Sequence, residues 1–287
     1  MDFDFLQPTD LDEVCKLLNE YKGKVKIISG GTDFMIDLHK DELSPEIEYI
    51  IDVSNLRDLN YIKEDDNKII IGAGTTHNEI ANNPIVNKWA PVLAKATNSI
   101  GSPQIRNRGT LAGNIVTASP AADSVPALLV LNGKVKIKTS STTKEIPLED
   151  FFIKPYQSKI NQDELIVEIS FKKPPMECKS GFKKLTRRKA VDKARLNIAV
   201  LALQNNIDEI EILRIAPGSI TPTPERFEKT ENILLNKRPT KELIKKAAEQ
   251  VSSTMIEKSG YRWSTEYKKP VIKTMTRRIL TRVLEVE

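Results

Sequence analysis

The segment Ile100–Asp123, IGSPQIRNRGTLAGNIVTASPAAD, carries three glycines, two prolines and two arginines among few large apolar side chains. No core helix or central strand is written this way. A segment of this length with so little to bury leaves its backbone polar groups to something outside it, because buried amides and carbonyls need partners. The rest of the chain must therefore supply a rigid frame around an exposed, glycine-bearing loop.

Periodicity supplies the frame. Thr9 is expected to cap a first helix with Leu11, Val14, Leu18 and Tyr21 at helical spacing. VKIIS then reads as a short buried strand that ends at Gly30-Gly31. IEYIIDV (47–53) and KIIIGA (68–73) are further strands. Thr76 and Glu79 form a capping box opening a short helix. Another helix is expected from Trp89 to about Ser99, with the opening loop after it. DSVPALLVLNG reads as a helix closed by Gly133 and leading into the strand KVKIKT. The strand ELIVEISF (164–171) precedes Pro174-Pro175, which marks a domain boundary. Beyond it, GFKKLTRR, RLNIAVLAL and EIEILRIAP read as three antiparallel strands. Helices are expected over 224–236, 240–253 and 264–285.

Composition excludes several classes. Cys15 and Cys178 are the only cysteines, and His39 and His77 the only histidines. A disulfide framework, a four-thiolate iron–sulfur cluster and a histidine-based zinc site all need more. The N-terminal residues, acidic and without a basic segment ahead of an apolar one, are not expected to be a secretion signal, and no apolar run reaches the roughly 18 residues of a membrane helix. The expected compartment is the cytoplasm. A net charge of +5 from 44 basic and 39 acidic groups is mild. Basic segments at 183–188 and 268–282 read as solvated or docking faces, and no nucleic-acid motif accompanies them.

Two segments have the make-up of anion cradles. SGGTDF (29–34) follows a strand, and its adjacent glycines allow successive N–H groups to converge on one oxyanion. TLAGN (110–114) offers a hydroxyl, small residues and an amide side chain. Taken singly, each is also an ordinary tight turn. GAGTTH (72–77) holds the first two glycines of a Rossmann fingerprint and lacks the third. A dinucleotide bound here would sit on a different fold.

ISGGTDFMIDL (28–38), IGSPQIRNRGTLAGNIVTASPAADSVPALLVL (100–131), FKKLTRR (182–188) and APGSITPTPERFEKTENIL (216–234) together resemble the FAD-binding subunit of molybdenum hydroxylases. The xanthine/purine and nicotinate dehydrogenase flavin subunits are the members it resembles most. The resemblance implies an α+β chain: a two-part FAD-binding domain of the PCMH (vanillyl-alcohol-oxidase-like) type over 1–175, split at about 55. A smaller C-terminal domain with a three-stranded antiparallel sheet and helices then covers 176–287. It implies noncovalent FAD, with molybdopterin and [2Fe–2S] clusters on a large and a small partner subunit, as a dimer of heterotrimers. NAD would be a possible acceptor.

By the same resemblance, Lys26, Ile27, Ile28, Ser29, Gly30, Gly31, Thr32 and Asp33 would wrap one side of the FAD pyrophosphate. Thr110, Leu111, Ala112, Gly113 and Asn114 would take the other side. Ile100 and Gly101 would pass the flavin ring, Asp123 would bond cofactor hydroxyls, and Ile166 would pack on a ring. Lys183 would approach the flavin carbonyl edge. The family often has Gly-Gly before the asparagine, where this chain has Ala112-Gly113, a change tolerable if Ala112 keeps negative φ. Asp123 is also readable as a helix N-cap, Lys183 as a surface lysine, and Arg106 and Arg108 as structural groups. No catalytic acid or base and no metal ligand is assigned. The alternative is a stand-alone FAD-dependent oxidoreductase of the same superfamily.

Overall fold

The computed structural model describes residues 3–188 and 192–286. The chain opens with a small parallel sheet made by β1 (Asp4–Leu6), β2 (Val25–Ile28) and β3 (Tyr49–Asp52), in the order β1-β3-β2. Between β1 and β2 runs α1 (Leu11–Glu20), whose Val14, Cys15 and Leu18 face the core. Its N-cap is Asp10 rather than Thr9. Asp10 Oδ1 accepts from the Glu13 amide at 2.8 Å, while Glu13 reaches back to the amide and hydroxyl of Thr9. Two cap-competent residues stand side by side, and the second wins because its carboxylate reaches the N3 amide. The strand β2 feeds α2 (Phe34–His39), so SGGTD is the turn between them.

A five-stranded antiparallel sheet forms the second unit. It comprises β4 (Ile62–Glu64), β5 (Lys68–Gly72), β6 (Lys134–Lys138), β7 (Thr143–Pro147) and β10 (Leu165–Lys172). The order is β4-β5-β10-β6-β7, and a small hairpin, β8 (Phe152–Lys154) with β9 (Gln157–Ser158), lies outside it. Helices gather between β5 and β6: α3 (His77–Asn82), α4 (Pro84–Trp89), α5 (Pro91–Asn98), α6 (Pro103–Arg108), α7 (Leu111–Val116) and α8 (Ser124–Val130). The expected capping box is present, with Thr76 and Glu79 bonded reciprocally. The helix expected from Trp89 starts instead at Pro91. Ala90, outside helical geometry, separates it from α4, and Pro91 takes the N1 place where its missing N–H costs nothing.

The expected open loop at 100–123 is also partly helical. Ser102 and Thr110 each cap a six-residue helix by accepting from the amide three residues on. Besides these caps, Leu111, Ala112 and Ile115 anchor the second of these helices in the core, whereas the first buries no side chain.

Three antiparallel strands follow: β11 (Lys179–Leu185), β12 (Leu196–Gln204) and β13 (Ile210–Gly218). Alternation splits β12 between two cores. Ala199 and Leu201 join the core of the first two units, whereas Ile198 and Val200 face the C-terminal helices. Those helices are α9 (Glu228–Leu234), α10 (Lys241–Ser259) and α11 (Thr265–Val283). The sheet is thus a septum shared by both halves. Among the described residues no helix is long and apolar enough to cross a membrane.

Candidate functional site

The turn after β2 and the start of α7 meet directly. A Cβ built on Gly30 would lie 2.0 Å from the carbonyl oxygen of Arg108 and 2.9 Å from Cα of Gly109. Only glycine allows that approach. Gly31 has φ +73°, a conformation that turns successive amides to one side. Across the seam, the Thr117 hydroxyl donates to Asp33 Oδ2 at 2.8 Å. Among the described residues, the amides of Gly30, Gly31, Thr32 and Asp33 donate no hydrogen bond, although Gly31 and Asp33 carbonyls accept from Met35 and Asp37. Four consecutive amides without acceptors make a nest able to hold an oxyanion. Of the residues before it, Ile27, Ile28 and Ser29 are half-buried and Lys26 is exposed.

The second segment differs in its chemistry from the expectation. Leu111 and Ala112 are buried, and their amides already donate to Thr75 O (3.0 Å) and Ala73 O (3.3 Å). Their N–H groups are therefore not open donors. Ala112 is helical and absent from the positive-φ residues, so its methyl is accommodated. What this segment leaves outward is Gly113, exposed, and the amide side chain of Asn114, whose Oδ1 accepts from Ser124 Oγ at 2.6 Å.

GAGTTH, the incomplete fingerprint, is the backing for this loop. Besides the two bonds above, the His77 amide donates to Gly109 O at 3.0 Å, and Thr76 bridges Thr110 in antiparallel fashion. The sequence signal was present but carried the wrong partner: its glycines pack on Leu59 rather than on a phosphate.

Farther along, Ile100 and Gly101 form a turn with Gly101 at φ +47°. Arg106 Nη1 spans it, donating to Ile100 O at 3.0 Å and Gly101 O at 3.4 Å. Arg106 is thus a structural clamp. Its Nε and the neighbouring His77 Nδ1 are buried without partners. His77 is 2% exposed, and burial, aided by the Arg106 charge, pushes its ring down to about 4. It sits inside the support with its Nδ1 buried.

At the same end, Asp123 is 4% exposed, with backbone in the helical region and no side-chain cap bond. Its Oδ2 accepts from Lys184 Nζ at 2.6 Å and its Oδ1 from Asn197 Nδ2 at 2.9 Å. Burial raises its proton affinity, while the Lys184 charge works in the opposite direction. Lys184 Nζ also donates to Ser99 O at 2.9 Å, directly before the Ile100–Gly101 turn. The residue that pairs with Asp123 and Ser99 is therefore Lys184, while Lys183 lies on the other face of the strand. Strand alternation decides it: Phe182 joins the first core, whereas a Cβ on Gly181 would meet Val283 and Ile279 and Leu185 packs toward the C-terminal helices. Lys183 shares the face of Gly181 and Leu185. Ile166 lies at the beginning of β10, 3% exposed in the core and next to a register shift.

These contacts form one continuous band. It runs from the amide nest through Gly113 and Asn114 to Ser124 and Asp123, then across Lys184 to Ser99 and Ile100. Such a band fits an elongated cofactor with an anionic middle: a nest of free amides, a glycine without side chain at the seam, and a buried lysine at one end.

Comparison with known proteins agrees with this geometry. Residues 1–173 match the family model described as the FAD binding domain in molybdopterin dehydrogenase, and residues 180–283 match the CO dehydrogenase flavoprotein C-terminal domain. The chain is 33% identical over 276 residues to the glyceraldehyde dehydrogenase medium chain of Sulfolobus acidocaldarius, covering 96% of each protein. It is 31% identical over 293 residues to the nicotinate dehydrogenase FAD-subunit of Eubacterium barkeri, covering 99% of this chain and 97% of that one. A solved carbon monoxide dehydrogenase from Hydrogenophaga pseudoflava superposes with a TM-score of 0.92 at 26% identity, covering 99% and 97% of the two chains.

Proposed function

Since the chain belongs to the FAD-binding medium subunits of the molybdopterin dehydrogenase family, we propose that it is the electron-transfer flavin subunit of a cytoplasmic molybdenum hydroxylase. Its flavin domain covers 1–175 and its C-terminal domain 176–287. Its partners are a large molybdopterin subunit and a small iron–sulfur subunit, assembled as a dimer of heterotrimers. Bound FAD would supply electron exchange between the partner's [2Fe–2S] clusters and an acceptor such as NAD.

The chain's own residues have binding and positioning roles. The amides of Gly30, Gly31, Thr32 and Asp33 hold the pyrophosphate, and the Thr117–Asp33 bond closes the seam beside it. Gly113 leaves room for close approach, and Asn114 Nδ2 is the side-chain donor of the second segment. Arg106 fixes the Ile100–Gly101 turn that the ring system passes. Lys184, held by Asp123 and Ser99, ties β11 to the residue before the Ile100–Gly101 turn at the same end. No side chain is required to carry a proton.

The observation that carries this reading is the run of four acceptor-free amides pressed against the start of α7. The test is to purify the chain with added FAD. Retention of FAD and the visible absorption of an oxidised flavin support the reading. A colourless folded protein that takes up no FAD refutes it.

A further inference from the structure

The C-terminal half carries a second group of cations, outside the band. Arg195, at the foot of β12, lies over the Tyr267 ring at 5.4 Å from its centroid. Lys268 donates to Ser219 O at 2.6 Å, and Arg262 Nε donates to Ser259 O at 2.9 Å. Every one of these contacts is to a neutral group, and among the described residues none of the three cations has an ion-pair partner. They gather around Ser219 and Ile220: Ser219 Oγ donates to Ala194 O at 3.2 Å, next to Arg195, and Ser259 Oγ, next to the Arg262 contact, donates to Ile220 O at 2.6 Å. Lys268 accordingly loses proton affinity through burial, and further through the charges of Arg262 and Arg195. The nearest acid along the helix, Glu266, accepts from the Tyr261 hydroxyl. Trp263, the residue after Arg262, is 95% exposed, with Tyr261 and Tyr267 also exposed.

Like charges gathered without a counter-ion are a cost unless an anion joins them. A bare indole one residue along from Arg262 adds a flat apolar face. Guanidinium groups suit phosphate oxygens through paired donors, and aromatic faces stack on nucleobases without reading sequence. The group also adjoins the band, because the Ser219 amide donates to Pro120 O at 2.9 Å, three residues before Asp123.

We propose that Arg195, Arg262 and Lys268, together with the ring of Trp263, bind the diphosphate and base of a nucleoside diphosphate at a site separate from the Gly30–Asp33 nest. This site does not depend on the FAD reading.

Calorimetric titration of the full chain with ADP and with inorganic pyrophosphate, in the presence and absence of excess FAD, tests it. Saturable binding of both is expected under either condition. Arg195→Ala and Arg262→Ala should each weaken both ligands about tenfold, the loss of about 1.4 kcal/mol. Trp263→Ala should weaken ADP and leave pyrophosphate unchanged. Lys269→Ala, an exposed neighbour outside the group, should leave both unchanged, and melting curves show whether each variant is folded. The proposal is overturned if neither ligand saturates by about 1 mM, or if folded Arg195→Ala and Arg262→Ala bind as the parent does. Displacement of ADP by FAD, placing it in the nest, or a dimer closed through Trp263 would overturn it as well.

Discussion

Replacing Gly30 by alanine is the sharpest perturbation of the proposed cofactor seam. The added Cβ would lie 2.0 Å from Arg108 O, 2.7 Å from its carbon and 2.9 Å from Gly109 Cα, whereas real Cβ atoms essentially never come within 3.0 Å of such neighbours. All three atoms are backbone, so no side chain can swing away. Relief requires the β2–α2 turn and the α6–α7 junction to part by about 1 Å, the difference between 3.0 and 2.0 Å. Overpacking of this kind costs about 1–3 kcal/mol. If the displacement falls on the amide nest, it corresponds to roughly a 5- to 150-fold loss of FAD affinity. Gly31→Ala is the internal comparison. Its Cβ would meet nothing nearer than 3.4 Å, and it pays only the left-handed φ of +73°, about 1–2 kcal/mol. Gly260→Ala, with φ +68° and nothing within 4 Å, should lower the melting temperature slightly and leave FAD affinity alone. Affinities come from titration of the apoprotein followed by flavin fluorescence, and fold integrity from thermal unfolding. A folded Gly30→Ala protein that binds FAD with parental affinity would refute the reasoning.

Three further outcomes are expected. Lys184→Met should destabilise the chain by about 3–5 kcal/mol at neutral pH, because it leaves the buried Asp123 carboxylate without its cation. Lys183→Met, on the other face of β11, should cost under about 0.5 kcal/mol; equal losses in urea unfolding would contradict the assignment. The His77 ring, depressed from 6.5 to about 4 in the folded state, contributes stability that is complete above pH 6.5 and drains away as pH falls toward 4. The full loss is about 3 kcal/mol, so His77→Phe should flatten the fall in melting temperature over that window, and an unchanged slope would remove His77 as its source. Arg106→Ala should loosen the Ile100–Gly101 turn, read as faster amide exchange there, and unaltered exchange would deny it the clamp role.

Strand texture made much of the frame legible. VKIIS, KIIIGA, KVKIKT and ELIVEISF each alternate or run apolar between turn residues, and each is a strand. The three strands after Pro175 were equally plain, because short connections force antiparallel pairing. The six-residue helices α6 and α7 were not: α6 buries no side chain, and α7 buries Leu111, Ala112 and Ile115 within a stretch too short to show a repeat. Their cap signals are Ser102 before Pro103 and Thr110 three residues before Gly113. The exposed strand β7, TKEIP, has one large apolar residue and exists by pairing with β6. At the site, the Gly30-Gly31 turn was readable from composition. The engagement of the Leu111 and Ala112 amides was not, because their acceptors lie almost forty residues away in a motif that reads as something else. Parity with Phe182, which packs on the first core, could have told that Lys184 rather than Lys183 lies on the Asp123 side of β11.

Amide hydrogen exchange of the chain with and without FAD addresses the central claim most directly. The account predicts that Gly30, Gly31, Thr32 and Asp33, which donate no hydrogen bond within the described protein, slow markedly when FAD binds, while Leu111 and Ala112 change little. FAD binding that leaves those four amides exchanging as before would contradict it.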